Sequence, residues 1–121
     1  MLHQFYKSAR IKETQPNTFA DLFSFAELRY IEGLESPAGS ISARLLAKSL
    51  ILEFLHSRNC SLLESEIEIL PENYDNTGQN LSGPPCITFL QNVENLSEVL
   101  FHLSLSHCES NASAYLIIEE P

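Results

Sequence analysis

Arg44 and Lys48 lie four residues apart in a stretch where Ile41, Leu45, Leu52 and Leu55 recur at helical spacing. Four residues is just over one helical turn, so the two cations share a face and can grip an anion between them. The plainer alternative is a pair of solvated cations. His107 closes an alternating run, Phe101-His102-Leu103-Ser104-Leu105-Ser106. An imidazole at a strand end can pass a proton or serve as a structural hydrogen bonder. Other chemistries find less support. His107 and Cys108 are adjacent on a strand end, so their side chains diverge and form no nucleophile–base pair. Ser104 and Ser106 share a face with His102, but no Asp lies nearby in sequence to orient that ring. The chain has four Gly in all, too few for a phosphate-cradling glycine loop, and its four His lack zinc-like spacing.

These residues sit in a chain of 121 residues, one domain by length, with 44% hydrophobic and 19% charged residues. Seven Lys and Arg against sixteen Asp and Glu give a net charge of −9, which disfavours nucleic acid and anionic membrane as partners. No apolar run approaches the roughly 20 residues that span a bilayer. Met1-Leu2-His3-Gln4-Phe5 lacks the basic and apolar regions of a signal peptide. Cys60, Cys86 and Cys108 make an odd count without metal spacing, as expected for idle thiols in a reducing compartment. The expectation is a cytoplasmic domain. The charge is uneven: Lys7, Arg10 and Lys12 make the first twelve residues +3, and the rest carries −12. A basic segment on an acidic body suits an acidic partner, unless the three cations simply face water.

The elements that position these residues follow from pattern. Residues 2–6 read as a short strand. Gln15-Pro16-Asn17 breaks the chain. Ser24-Phe25-Ala26-Glu27 reads as a capping box opening a short helix to about Ile31, ended by Gly33. Ser36 as N-cap and Pro37 in the first turn start a long helix to about Arg58, apolar on most sides and so central. Glu66 to Ile69 alternates as a half-buried strand. Residues 71–84, rich in Pro, Gly and Asn, form a long loop. A strand over Cys86–Leu90, a short helix over Asn92–Val99, the alternating run at 101–106 and a last strand over Tyr115–Glu119 complete a single α+β domain, 1–121.

Two segments carry a resemblance. Ser42 to Leu55 is similar to the helix of holo-acyl-carrier-protein synthases, whose core reads R-x-A-A-K-E-A-F. Leu103 to Glu119 resembles that family's ending, a strand with S-[IL]-[ST]-H, a turn, an Ala-rich entry and a last strand. Glu66-Ile67-Glu68-Ile69 matches D-I-E-[IV], and Gly83-Pro84-Pro85 matches G-[KR]-P. Phe19 to Leu28 resembles the segment before the long helix. The likeness covers about residues 4–119.

The resemblance implies a 4′-phosphopantetheinyl transferase fold, an antiparallel sheet with one long central helix and short helices. It implies transfer of the phosphopantetheine arm of coenzyme A to a serine of an apo acyl carrier protein, by a homotrimer with Mg²⁺ at the pyrophosphate. It places Arg44 and Lys48 at the CoA phosphates, with Ser106 and His107 at the CoA site and His107 as catalytic candidate. Gly83 and Pro84 border the adenine pocket. Lys7 and Arg10 fall in the carrier-docking segment. The chain departs from the family at the metal. Aligning Arg10-Ile11 with the family's R-I puts Gln4 at the metal-binding Asp, and the A-K-E glutamate falls on Ser49. Glu53 shares the helix face of Ser49 and is either a relocated ligand or an ion-paired acid. The alternatives to a transferase are a non-catalytic module that binds CoA or a carrier, and a structural subunit beside an active relative.

Overall fold

The computed structural model of the chain describes residues 1–11, 16–74, 83–93 and 96–121. Among the described residues it is an α+β domain of five strands and two α-helices. The elements are β1 (Leu2–Arg10), α1 (Phe25–Glu32), α2 (Pro37–Ser57), β2 (Ile67–Pro71), β3 (Pro85–Phe89), β4 (Leu100–His107) and β5 (Asn111–Glu119). Short 3-10 turns over Pro16–Leu22 and Glu64–Glu66 connect them.

β1, β5 and β4 form an antiparallel sheet in that order, with Lys7 opposite Ala114 and Leu105 opposite the same residue. β2 and β3 form a separate antiparallel pair, Ile69 opposite Ile87. Strand alternation decides which side chains face inward. In β5 these are Ala112, Ala114, Leu116 and Ile118, all buried. Ala114, Leu116 and Ile118 pack with Ala47, Leu50, Ile51, Phe54 and Leu55 of α2 and with Ile67 and Ile69 of β2. Helix α2 therefore meets apolar neighbours from two sheets, the physical reason its sequence is apolar on most sides.

The capping box forms as the sequence indicates. Glu27 N–H donates to Ser24 Oγ at 3.1 Å, and Ser24 N–H donates to Glu27 Oε1 at 2.9 Å. Pro37 opens α2, but Ser36 makes no side-chain cap bond. Asn59, at φ 57°, turns the chain after α2, where Cys60 N–H reaches Leu55 O at 2.9 Å. Four expectations shift, the first being the last strand, which begins at Asn111 rather than Tyr115 because β1 and β4 pair with it on both sides. The first strand runs to Arg10 because β5 offers partners along its full length. Among the described residues of 92–99 there is no helix, only a turn at Ser97–Glu98 leading into β4. Of the loop expected over 71–84, residues 75–82 lie outside those described, and Pro71 belongs to β2.

Candidate functional site

Lys48 is the first surprise of the site. Its side chain has 0% exposure, and its ammonium donates to Glu27 Oε1 at 2.6 Å, Leu22 O at 2.9 Å and Glu64 O at 2.9 Å. An ammonium has three donors, and all three are engaged. The Phe23 ring lies 4.7 Å away. Lys48 thus neither faces solvent nor has a donor left for a phosphate. It ties α2 to α1 and to the turn before β2. Glu27 completes the knot: its Oε2 accepts Ile69 N–H at 3.0 Å. Burial raises the Glu27 carboxyl above its ordinary range, opposed by Lys48 and by the bonds from Ser24 and Ile69. Burial lowers the Lys48 ammonium, opposed chiefly by Glu27. Sequence reasoning saw Glu27 only as a capping residue. The signal it lacked is the pairing with Lys48, twenty-one residues away.

One turn earlier, Arg44 is also nearly buried. Its Nε donates to Ile69 O at 3.1 Å, its Nη1 to Ser40 Oγ, and its guanidinium lies 4.8 Å from the Tyr30 ring centroid. Burial lowers its proton affinity, but a guanidinium stays charged in a folded chain. These two bonds use two of its five N–H donors. Arg44 lines a cavity of about 190 Å³ together with Tyr30, Ser40, Gly83, Leu105 and His107.

The cavity brings together three residues singled out in the sequence: Arg44, Gly83 and His107. His107 has the same strand parity as Leu105 and points toward α2. Its ring lies on Gly39, where a Cβ would run into the imidazole. Gly39 was missed. Its signal was a glycine inside a helix, a position that costs roughly 0.5–1 kcal/mol relative to Ala and so asks for a reason. Gly83 has φ +107°, a left-handed conformation that favours glycine. Pro84 borders a neighbouring groove of about 550 Å³ between β3 and β4, and Pro85 is shared with the first cavity. Ser106 pairs with Ser113 and is exposed on the opposite face of the sheet from His107. On that same face His102 Nε2 lies 2.9 Å from Glu119 Oε1, a carboxylate brought by the neighbouring strand.

The expected metal positions do not meet. On β1, His3, Phe5 and Lys7 turn toward α2, whereas Gln4 is exposed on the other face and accepts from Tyr115 Oη at 3.2 Å. Ser49 faces Lys7, not Gln4: Lys7 Nζ donates to Ser49 Oγ at 2.7 Å and to Glu53 Oε1 at 3.0 Å. Glu53 is thus an ion-paired acid. Magnesium asks for several hard oxygens in near-octahedral array. Here one hydroxyl and one carboxylate are already held by a cation of the chain. Among the described residues no three His, Cys, Asp or Glu gather as a metal site. The residues present do not fit the ion. Lys7 is also turned away from the docking role expected of it. Arg10 is exposed at the end of β1, on a largely apolar groove of about 300 Å³ with Phe19, Ile41 and Leu45. Lys12 lies outside the described residues.

A guanidinium, a glycine turn and an imidazole thus line one cleft beside the first turns of the long helix of a small α+β domain. The chain is 30% identical over 98 residues to the holo-[acyl-carrier-protein] synthase of Clostridium tetani (strain Massachusetts / E88), covering 81% of this chain and 75% of that protein. It belongs to the holo-[acyl-carrier-protein] synthase family. Two solved structures share its fold. The acyl carrier protein synthase of Mycobacterium tuberculosis superposes with a TM-score of 0.66 at 24% identity, over 98% of this chain and 96% of that one. The ACPS–CoA complex from Chronobacterium ammoniagenes gives 0.75 at 18% identity, over 100% and 98%. No family model matches the chain.

Proposed function

We propose that the chain binds coenzyme A at the Arg44–His107 cavity and transfers its phosphopantetheine arm to a serine of an apo acyl carrier protein. The observation that carries this reading is the convergence of Arg44, Gly83 and His107 on one cavity in a chain of this family. The guanidinium holds a phosphate oxygen. The His107 imidazole takes the proton of the carrier serine. The serine oxygen bonds to the phosphorus that bears the pantetheine arm, and the anhydride bond breaks. Adenosine 3′,5′-bisphosphate leaves with the bonding electrons. Catalysis of such a step is largely positioning and charge stabilisation. Arg10 and its apolar groove offer an acidic amphipathic helix of the carrier a charged rim and an apolar floor. The chain works as a homotrimer, and the exposed Leu2, Tyr6, Leu100 and Tyr115 on the otherwise polar outer face of the β1–β5–β4 sheet support that reading.

A second reading has its own observation. Lys7 stands between Ser49 and Glu53, and among the described residues no second carboxylate joins Glu53 there. That favours a module that holds CoA or a carrier without transfer. One experiment separates the two. The chain is mixed with CoA and apo carrier proteins of its own genome and read by intact mass. A carrier that gains the phosphopantetheine mass, with His107→Ala abolishing the gain, supports transfer. CoA binding by calorimetry with no gain on any carrier, beside a positive-control enzyme, supports the binding module. Neither binding nor gain overturns both.

A further inference from the structure

The Lys7 contacts have a consequence for charge. Ser49 and Glu53 are one turn apart on α2, and β1 lays Lys7 across them. The family's expected pair of carboxylates with a divalent ion sums to zero charge. An ammonium with one carboxylate and one hydroxyl sums to zero as well. The side chain of Lys7 is 37% exposed, so the charge is neither deeply buried nor free in water. Two of its three donors are used, and the third has no partner among the described residues.

We propose that the Lys7 ammonium is the resident cation of this site, held by Ser49 and Glu53, and that the chain handles its phosphate ligand without a divalent metal. The cluster lies about ten residues along α2 from the Gly39 end, roughly 15 Å by helical rise. An extended ligand, or one laid across two copies of the chain, reaches both. The part of this proposal that concerns CoA rests on the function proposed above. The part that concerns the cation does not.

The test therefore has two arms on the full chain. In the first, Mn²⁺ is titrated and free ion is read by electron paramagnetic resonance. The wild type shows no tight site. The Lys7→Asp/Ser49→Glu double variant brings three carboxylates together and binds Mn²⁺ at least about tenfold more tightly than wild type. The Gln4→Asp/Ser49→Glu variant behaves as wild type, because its two carboxylates lie on opposite faces of β1. Wild-type binding as tight as that of Lys7→Asp/Ser49→Glu overturns the proposal. So does a gain confined to Gln4→Asp/Ser49→Glu, or no gain in either. In the second arm, calorimetry measures CoA binding in EDTA and in Mg²⁺. The expected affinities agree within about twofold, and both Lys7→Met and the milder Lys7→Gln weaken binding about tenfold, one charge-assisted contact. A wild type that binds CoA only with Mg²⁺, or lysine variants of unchanged affinity, overturns the phosphate role. If CoA binds under neither condition, the proposed function falls, and the Mn²⁺ arm still decides the place of Lys7. Thermal melts confirm that each variant is folded.

Discussion

Lys48 and Glu27 show how a sequence position can keep its residue type and lose its apparent purpose. A lysine four residues after an arginine looks like half of an anion grip, yet here it is fully buried and bonded three times within the chain. Removing one member of such a pair leaves a charge without compensation. Lys48→Met alone, or Glu27→Gln alone, is expected to cost about 3–5 kcal/mol, and Lys48→Met/Glu27→Leu to recover most of it. Urea denaturation of the three variants measures this, and a loss in the double variant equal to the sum of the two single losses would show that the pair is not coupled. Lys48→Met also sets a pH dependence. Without the ammonium, burial raises Glu27 further, so the folded variant holds a proton that the unfolded chain releases. Stability then falls as pH rises from the ordinary carboxylate value of 4.5 through the raised one. Gly39 makes the complementary case. Gly39→Ala gains helix propensity of roughly 0.5–1 kcal/mol but pushes the His107 ring off the helix. The expected result is an unchanged or higher melting temperature, a moved His107 imidazole signal by NMR, and weaker CoA binding. An unmoved signal would mean that the ring does not rest on Gly39.

At the scale of elements, alternation and capping were legible and parity was not. Glu66 to Ile69, Phe101 to Leu105 and Ser24 to Glu27 each carry a local pattern, and each forms close to where it reads. β1 carries apolar residues on both faces, Phe5 inward and Leu2 and Tyr6 outward, so its pattern does not say which face is buried. A one-residue slip turns a strand over. Counting back from Arg10-Ile11 therefore reached Gln4, although the residue that meets Ser49 is Lys7. Likewise the interior of α2 was visible as apolar, but not which polar residues it would bury, because Glu27, Ile69 and Glu64 come from distant parts of the chain. The helix lies close to β5 because Ala114, packed in one core with Ala47 of α2, is small. Ala114→Leu forces extra volume into that contact and is expected to cost about 1–3 kcal/mol. It should also part Lys7, opposite Ala114, from Ser49. A drop in the urea midpoint at unchanged slope checks the first effect.

At the scale of the molecule, the outer face of the β1–β5–β4 sheet raises the question of what covers it. Leu2 is 60% exposed, Tyr6 61%, and Tyr115, whose ring lies 6.4 Å from that of Tyr6, 38%. These exposed side chains, set among Gln4, Ser104 and His102 on the same face, are ones that an interface between copies would bury. A cavity of about 190 Å³ is too small to enclose CoA alone, so the proposed homotrimer is read as completing it. Sedimentation of the wild type is expected to give three copies. Tyr6→Glu together with Tyr115→Arg places charges where apolar contact is needed, and should yield a folded monomer with CoA affinity reduced about tenfold or more. The two readouts separate assembly from binding. A monomer that keeps its CoA affinity would mean that Arg44 and His107 complete their site within one chain, whereas a wild type that sediments as a monomer would leave the tyrosine face to another partner.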